Sequence, residues 1–166
     1  MSLRSEKTTK IFVTVSLSFL LLLLYVFIFG FSAQDAEQSG SLSRMVTEKC
    51  VEFFNSLAGG QWSRDFMESL TVYFEHPVRK LAHFAEYACM GVLLYGIWSQ
   101  WMKVGRRLYL VILSWVFLSA ALDELHQWFV PGRYASPADV LLDTCGGAFG
   151  MLFLILAGRA YRFLTS

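Results

Sequence analysis

Two short stretches of the 166-residue chain carry most of the side chains that could do chemistry. In one, Ala121–Arg133 (ALDELHQWFVPGR), the residues Asp123, Glu124, His126 and Gln127 follow thirteen almost wholly apolar residues. The other begins Arg79-Lys80 and places His83 and Glu86 one helical turn apart; Asp139 and Asp143 follow the first stretch closely. Imidazole and carboxylate groups within reach of one another can pass a proton, so His83, Glu86, Asp123 and His126 form a candidate acid–base set. The pairs His83-x-x-Glu86 and Asp123-x-x-His126 also offer metal-donor types, but such pairs recur by chance and no metal ligand is assigned from the spacing. Arg79, Lys80, Glu124, Gln127, Arg133, Asp139 and Asp143 are candidate binding residues. Arg133 stands out among them because its planar fork suits a phosphate or carboxylate. No nucleophile stands out: Ser136 reads as a helix cap, and Cys89 and Cys145 as small packing residues. The competing reading is interhelical glue, with the acids paired to lock a bundle. Against it, Glu86, Asp123, Asp139 and Asp143 face only two histidines and two arginines, and like charges are costly in a low-dielectric layer.

The elements that must position these residues are membrane spans. The chain is 55% hydrophobic and 16% charged, with a mean hydropathy of +0.48. A soluble domain is nearer about 45–50% apolar and 25% charged. The net charge of +1 gives no overall field for nucleic acid. Cys50, Cys89 and Cys145 are odd in number and widely spaced, which fits neither a disulfide framework nor a zinc pattern. The pattern predicts an all-α integral membrane protein with four transmembrane helices and short amphipathic helices in a long first outer loop. A tail over 1–10 precedes a span over 11–31, about the length that crosses a bilayer. Residues 32–76 form the polar first loop, with apolar stripes over Leu42–Leu57 and Trp62–Phe74 separated by Gly59-Gly60. Such stripes suit short helices lying on the membrane surface, or packed on each other or on the spans. The second span is expected over 77–101, with Pro77 in its first turn. A basic turn at 102–107 leads to the third span, 108–129. An outer turn at 130–136 follows, with Pro131 and Gly132 placed for a type II turn. The fourth span, 137–163, opens on a capping-box pattern of Ser136, Pro137 and Asp139.

Four spans put both termini on one side. Arg4, Lys7 and Lys10, then Lys103, Arg106 and Arg107, then Arg159 and Arg162 mark that side as cytoplasmic, although Arg79 and Lys80 run against the rule. Depth then follows from the helical rise. His83 and Glu86 lie roughly 9 and 14 Å along the second span from its outer end, and Asp143 roughly 9 Å along the fourth. Asp123 lies roughly 22 Å from the inner end of the third, or about 8 Å below the outer surface of a 30 Å core. Helical phase puts Arg79, His83, Glu86, Tyr87 and Met90 on one face, Ser119, Asp123, His126 and Gln127 on a second, and Asp139, Asp143, Gly146, Gly147 and Gly150 on a third. Glu124 points about 100° from Asp123. Three helices therefore bring their costly residues to one outward-facing polar pocket, with Arg79 and Arg133 near its mouth.

The blocks RKLAHFAEYACMGVLL and LDELHQWFVPGRYASPADVLLDTCGGAFG resemble the VanZ-like family of small bacterial membrane proteins, named for a teicoplanin-resistance accessory protein. The resemblance covers 79–150, together with the first span and the four-helix layout, and leaves 32–76 outside. Its motifs fall on Lys80, His83, Glu86, Tyr87, Asp123, Glu124, His126, Gln127, Arg133, Asp139, Asp143 and Gly147. The family often has Asn where Asp143 stands. The resemblance implies a multi-pass protein of the bacterial cytoplasmic membrane, sometimes linked to glycopeptide resistance; it does not supply a reaction. The expected partners are the lipid bilayer and an anionic lipid or lipid-linked cell-wall precursor. The alternative is a non-enzymatic scaffold whose polar cluster only locks the bundle. Neither a cofactor nor an oligomeric state follows from the sequence.

Overall fold

A computed structural model describes residues 3–165. The elements run α1 (Leu3–Ser32), α2 (Ala36–Leu57), α3 (Arg64–Trp98), α4 (Arg106–Trp128) and α5 (Pro137–Thr165). Four of them, α1, α3, α4 and α5, are long and apolar enough to cross a membrane, so the chain is an all-α integral membrane protein.

Two helices run beyond the spans expected from the sequence, each for a local reason. Helix α1 begins at Leu3, because residues 3–10 contain no breaker and support the helix themselves. The Thr8 and Thr9 hydroxyls donate to the carbonyls of Arg4 and Ser5, and Lys10 pairs with Glu6 at 2.8 Å. The second loop helix and the second span are one helix. Ser63 caps it by accepting from the Phe66 amide at 3.2 Å, and it continues through Pro77 to Trp98. A proline costs one helical hydrogen bond but need not end the helix where neighbours hold both sides. Here α2 lies alongside and supplies that hold: Arg44 bridges to Glu68, and Arg79 reaches Ser43 at 3.0 Å.

Helix α2 is capped by Asp35, whose carboxylate accepts from the Gln38 amide at 2.8 Å. It stops at Gly59 and Gly60, whose φ of 95° and 74° favour glycine. Ser43, Thr47 and Val51 are its buried residues, and α3 is its main neighbour. Its apolar stripe points outward: Val46, Phe53, Phe54 and Leu57 are exposed, as are Phe66, Tyr73 and Phe74 on α3. The two loop helices do pack on each other, but through Ser43, Thr47, Val51 and Thr71 rather than through their apolar stripes.

The core lies among the four spans. Tyr87, Met90 and Leu94 of α3 meet Leu108, Ile112, Val116 and Ala120 of α4, with Leu21 and Ile28 of α1 and Met151 of α5. Helices α3 and α5 make the most extensive contact. Glycines allow it: a Cβ at Gly146 or Gly150 would strike the Phe84 or Ala88 carbonyl, and one at Gly91 would strike the Gly147 backbone. Between α1 and α4 the contact is polar in places. The Trp115 indole donates to the Tyr25 oxygen at 2.9 Å, and Tyr25 shares a 2.6 Å hydrogen bond with Ser119. At one end of the bundle Trp101 donates to Thr14; at the other, Gln127 donates to Ser32.

Candidate functional site

The polar end of the bundle is built where the 129–136 turn returns the chain. Gly132 has φ 74°, and the Arg133 amide donates to the Val130 carbonyl at 3.1 Å, which makes the expected tight turn. The turn also touches the start of α2, since the Ala36 amide donates to the Pro131 carbonyl at 3.4 Å.

Helix α5 then starts by an exchange of partners. Ser136 accepts weakly from the Asp139 amide, at 3.4 Å, as a cap should. The other half of the capping box is not made, because the Asp139 carboxylate pairs with Lys80 of α3. Glu124 of α4 replaces it, accepting from the Ser136 amide at 2.7 Å. Glu124 is therefore 5% exposed and turned towards the N-terminal end of α5.

Within this frame His83, Asp123 and Asp143 converge: one ligand-type atom from each lies within 4.8 Å of the others. Asp123 is 0% exposed and Asp143 1%, and one oxygen of each, Oδ1, is buried without a hydrogen-bond partner. The second oxygen of Asp123 accepts from Gln127 Nε2 at 3.1 Å. The Gln127 carbonyl oxygen accepts from Arg133 at 3.2 Å, so a polar chain runs Arg133–Gln127–Asp123. Glu86 lies beside His83, its Oε2 3.9 Å from His83 Nδ1 and otherwise without a hydrogen bond.

A cavity of about 250 Å³ opens beside these groups, lined by His76, Arg79, Lys80 and His83 of α3, Glu124 and Gln127 of α4, Arg133, and Asp139 and Asp143 of α5. A second, more apolar cavity of about 200 Å³ shares Arg79, His83 and Arg133 and reaches Glu86 between α1, α2 and α3. A larger groove of about 870 Å³ lies between α1 and α4, away from the cluster. It is a mainly apolar furrow facing the surroundings, and none of the clustered acids or histidines lines it.

The cations of the site are not equivalent. Arg79 is held by Glu75 and Ser43, each at 3.0 Å, and Lys80 by Asp139. Arg133 is half-buried, and among the described residues no acid stands within ion-pair distance of it; its Nε, like that of Arg79, is buried without a partner. Burial, then the neighbouring charge of Arg79, pushes the Arg133 guanidinium below its ordinary pKa, while Asp123, Glu124 and Asp35 raise it.

Of the residues singled out from the sequence, His126 differs in facing α1, with its Nδ1 buried and unpartnered. Asp123 and Gln127, four residues apart, turn inward together, whereas the His126 ring packs on Phe29 of α1 with centroids 5.9 Å apart. It lines neither polar cavity. Ser32, Ser43, Glu75 and His76 join the site without a pattern in the sequence that singles them out. The last two lie just before Pro77, whose local pattern marks a helix start although it lies inside α3. Ser32 gave only the weak signal of a small hydroxyl at the end of an apolar run.

The fold and the cluster together define a small multi-pass membrane protein with a polar chamber at one end of its helix bundle. A family model described as VanZ/LLP1 matches residues 17–158, and the chain belongs to that family. The match runs through the 32–76 segment, which the resemblance by motif alone had left outside. Comparison with curated proteins and with solved structures gives no significant match.

Proposed function

We propose that this VanZ-family protein binds, at the outer leaflet of the bacterial cytoplasmic membrane, an anionic lipid-linked or cell-wall component in its polar chamber. Both termini then lie in the cytoplasm, with the basic ends of α1, α4 and α5. The observation that carries the reading is Arg133: a half-buried guanidinium with a neutral amide as its side-chain partner, while its two neighbouring cations are neutralised. A buried cation without an acid is stabilised by an anion brought from outside, and a guanidinium matches phosphate or carboxylate oxygens two at a time. His83, Glu86 and Asp123 supply proton donors and acceptors next to the bound group. A link to teicoplanin-type resistance is the corresponding phenotype to examine.

The test is mass spectrometry of lipids that remain on the detergent-purified protein. Arg133→Gln should lose the anionic species that wild type retains, whereas Arg159→Gln, exposed near the far end of α5, should keep it. Equal retention in all three proteins refutes the reading. If Arg133→Gln and Asp123→Asn change only thermal stability, the cluster is a lock for the bundle, and the scaffold reading replaces this one.

A further inference from the structure

We propose that His83, Asp123 and Asp143 form a binding site for one divalent transition-metal ion of the zinc or manganese class, buried where α3, α4 and α5 meet. The site does not depend on the anionic ligand proposed above; with an ion bound, His83 and Asp123 serve as ligands and, of the proton-handling set, Glu86 alone keeps that role.

The first support is convergence. Three helices each contribute one donor, and all three donor atoms lie within 4.8 Å of one another. Donors at about 2.0–2.2 Å from zinc stand roughly 3.5 Å apart in a tetrahedral site, so closure takes little more than about 1 Å of side-chain movement. The second support is unmet polar demand. Asp123 and Asp143 are almost wholly buried, and each keeps a buried oxygen with no hydrogen-bond partner. Two neighbouring carboxylates withdrawn from water must take up either a proton or a compensating cation. The protein's own cations do not provide one: Lys80 pairs with Asp139, Arg79 with Glu75, and Arg133 is hydrogen-bonded to Gln127. A divalent ion would balance both acids at once.

The donor set narrows the ion. One imidazole with two carboxylates and no thiolate disfavours soft ions such as Cu(I). The imidazole disfavours magnesium and calcium, which take oxygen ligands. Three protein donors leave a coordination position open, as sites that bind water or a ligand do. The 250 Å³ cavity, which His83 and Asp143 line, gives access to it. The surroundings match those of a metal site as well. Gln127 holds the second oxygen of Asp123, and Glu86 is placed to receive the Nδ1 proton of an imidazole that ligates through Nε2. This set differs from the one the sequence spacing offers, because His126 faces Phe29.

The experiment uses the full chain, purified without an affinity tag in detergent. Metal content is measured directly. The EDTA-treated protein is then titrated with zinc chloride or manganese chloride while thermal unfolding is followed. Wild type should hold close to one equivalent of ion, and its unfolding temperature should rise on adding the metal. His83→Gln, Asp123→Asn and Asp143→Asn should lose both properties. Glu86→Gln should keep stoichiometric binding with affinity weakened about 10- to 100-fold. His76→Gln, an exposed histidine on the cavity wall, should behave as wild type. The proposal is overturned if wild type holds no stoichiometric metal and neither salt shifts its unfolding. It is equally overturned if Asp143→Asn binds as well as wild type, or if His76→Gln abolishes binding. Neither result bears on whether Arg133 retains an anionic lipid, so the two proposals fail separately.

Discussion

The Gly150→Ala substitution tests the packing that brings α3 and α5 together. A Cβ at position 150 would sit 2.7 Å from the carbonyl carbon of Ala88 and 2.9 Å from its Cα, and would strike the Ala88 oxygen outright. Carbon atoms in contact prefer about 3.5 Å or more, and the oxygen clash is tighter still, so the two helices must part by more than roughly 0.8 Å along the crossing. The opposing atoms are backbone, which cannot rotate away, so the strain spreads over the whole contact. Overpacking of this kind costs about 1–3 kcal/mol. For a chain of this size that corresponds to a fall in unfolding temperature of roughly 3–10 °C. Gly158→Ala is the matched control, since it lies on the same helix with nothing within 4 Å of the added carbon. Helix propensity alone then acts, and the substitution should be neutral or stabilising by up to about 1 kcal/mol. Thermal unfolding in detergent, followed by circular dichroism, measures both. If Gly150→Ala unfolds at or above the wild-type temperature, or matches Gly158→Ala, the inferred backbone contact is wrong.

Other perturbations follow from single contacts. Tyr25→Phe removes the acceptor for Trp115 and the partner of Ser119, and should cost about 1–2 kcal/mol with a shift in tryptophan emission. Glu124→Ala leaves the Ser136 amide without its carboxylate and should cost about 1–3 kcal/mol in thermal unfolding, whereas Glu124→Gln keeps an acceptor and should cost less. Lys80 and Asp139 are each about one-third exposed, so solvent screening limits their pairing. A double-mutant cycle with Lys80→Met and Asp139→Asn should return a coupling of about 0.5–1 kcal/mol.

The four spans were legible because hydrophobic length is a one-dimensional property of the chain. The meeting of His83, Asp123 and Asp143 was legible for a related reason: depth and helical phase follow from residue counting once a span's end is fixed. What counting could not give was the rotation of one helix against its neighbours. His126 and Gln127 both lie on the Asp123 side of α4, yet the position of α1 decides that Gln127 faces Asp123 while His126 meets Phe29. Glu124 was ambiguous because its partner, the Ser136 amide, belongs to a turn whose path depends on Gly132 and the start of α2. The pairing of Asp139 with Lys80 rather than with its own helix start was hidden similarly, since a local capping pattern and a tertiary ion pair compete for one carboxylate. Pro77 misled in the other direction: its local meaning is a helix start, and packing by α2 overrides it.

The glycine-lined contact also sets an order of events. A polytopic chain is made from its N-terminus, so α3 and α4 exist before α5 has left the ribosome. Until α5 docks, the Phe84 and Ala88 carbonyls and Gly91 face a gap that only another bare backbone fits. Asp123 enters the bilayer with Gln127 already able to reach Ser32 of α1, whereas Asp143 arrives last, on the segment that closes the gap. The final span is thus the keystone of the bundle. A chain that ends before Pro137 keeps an open seam between its helices.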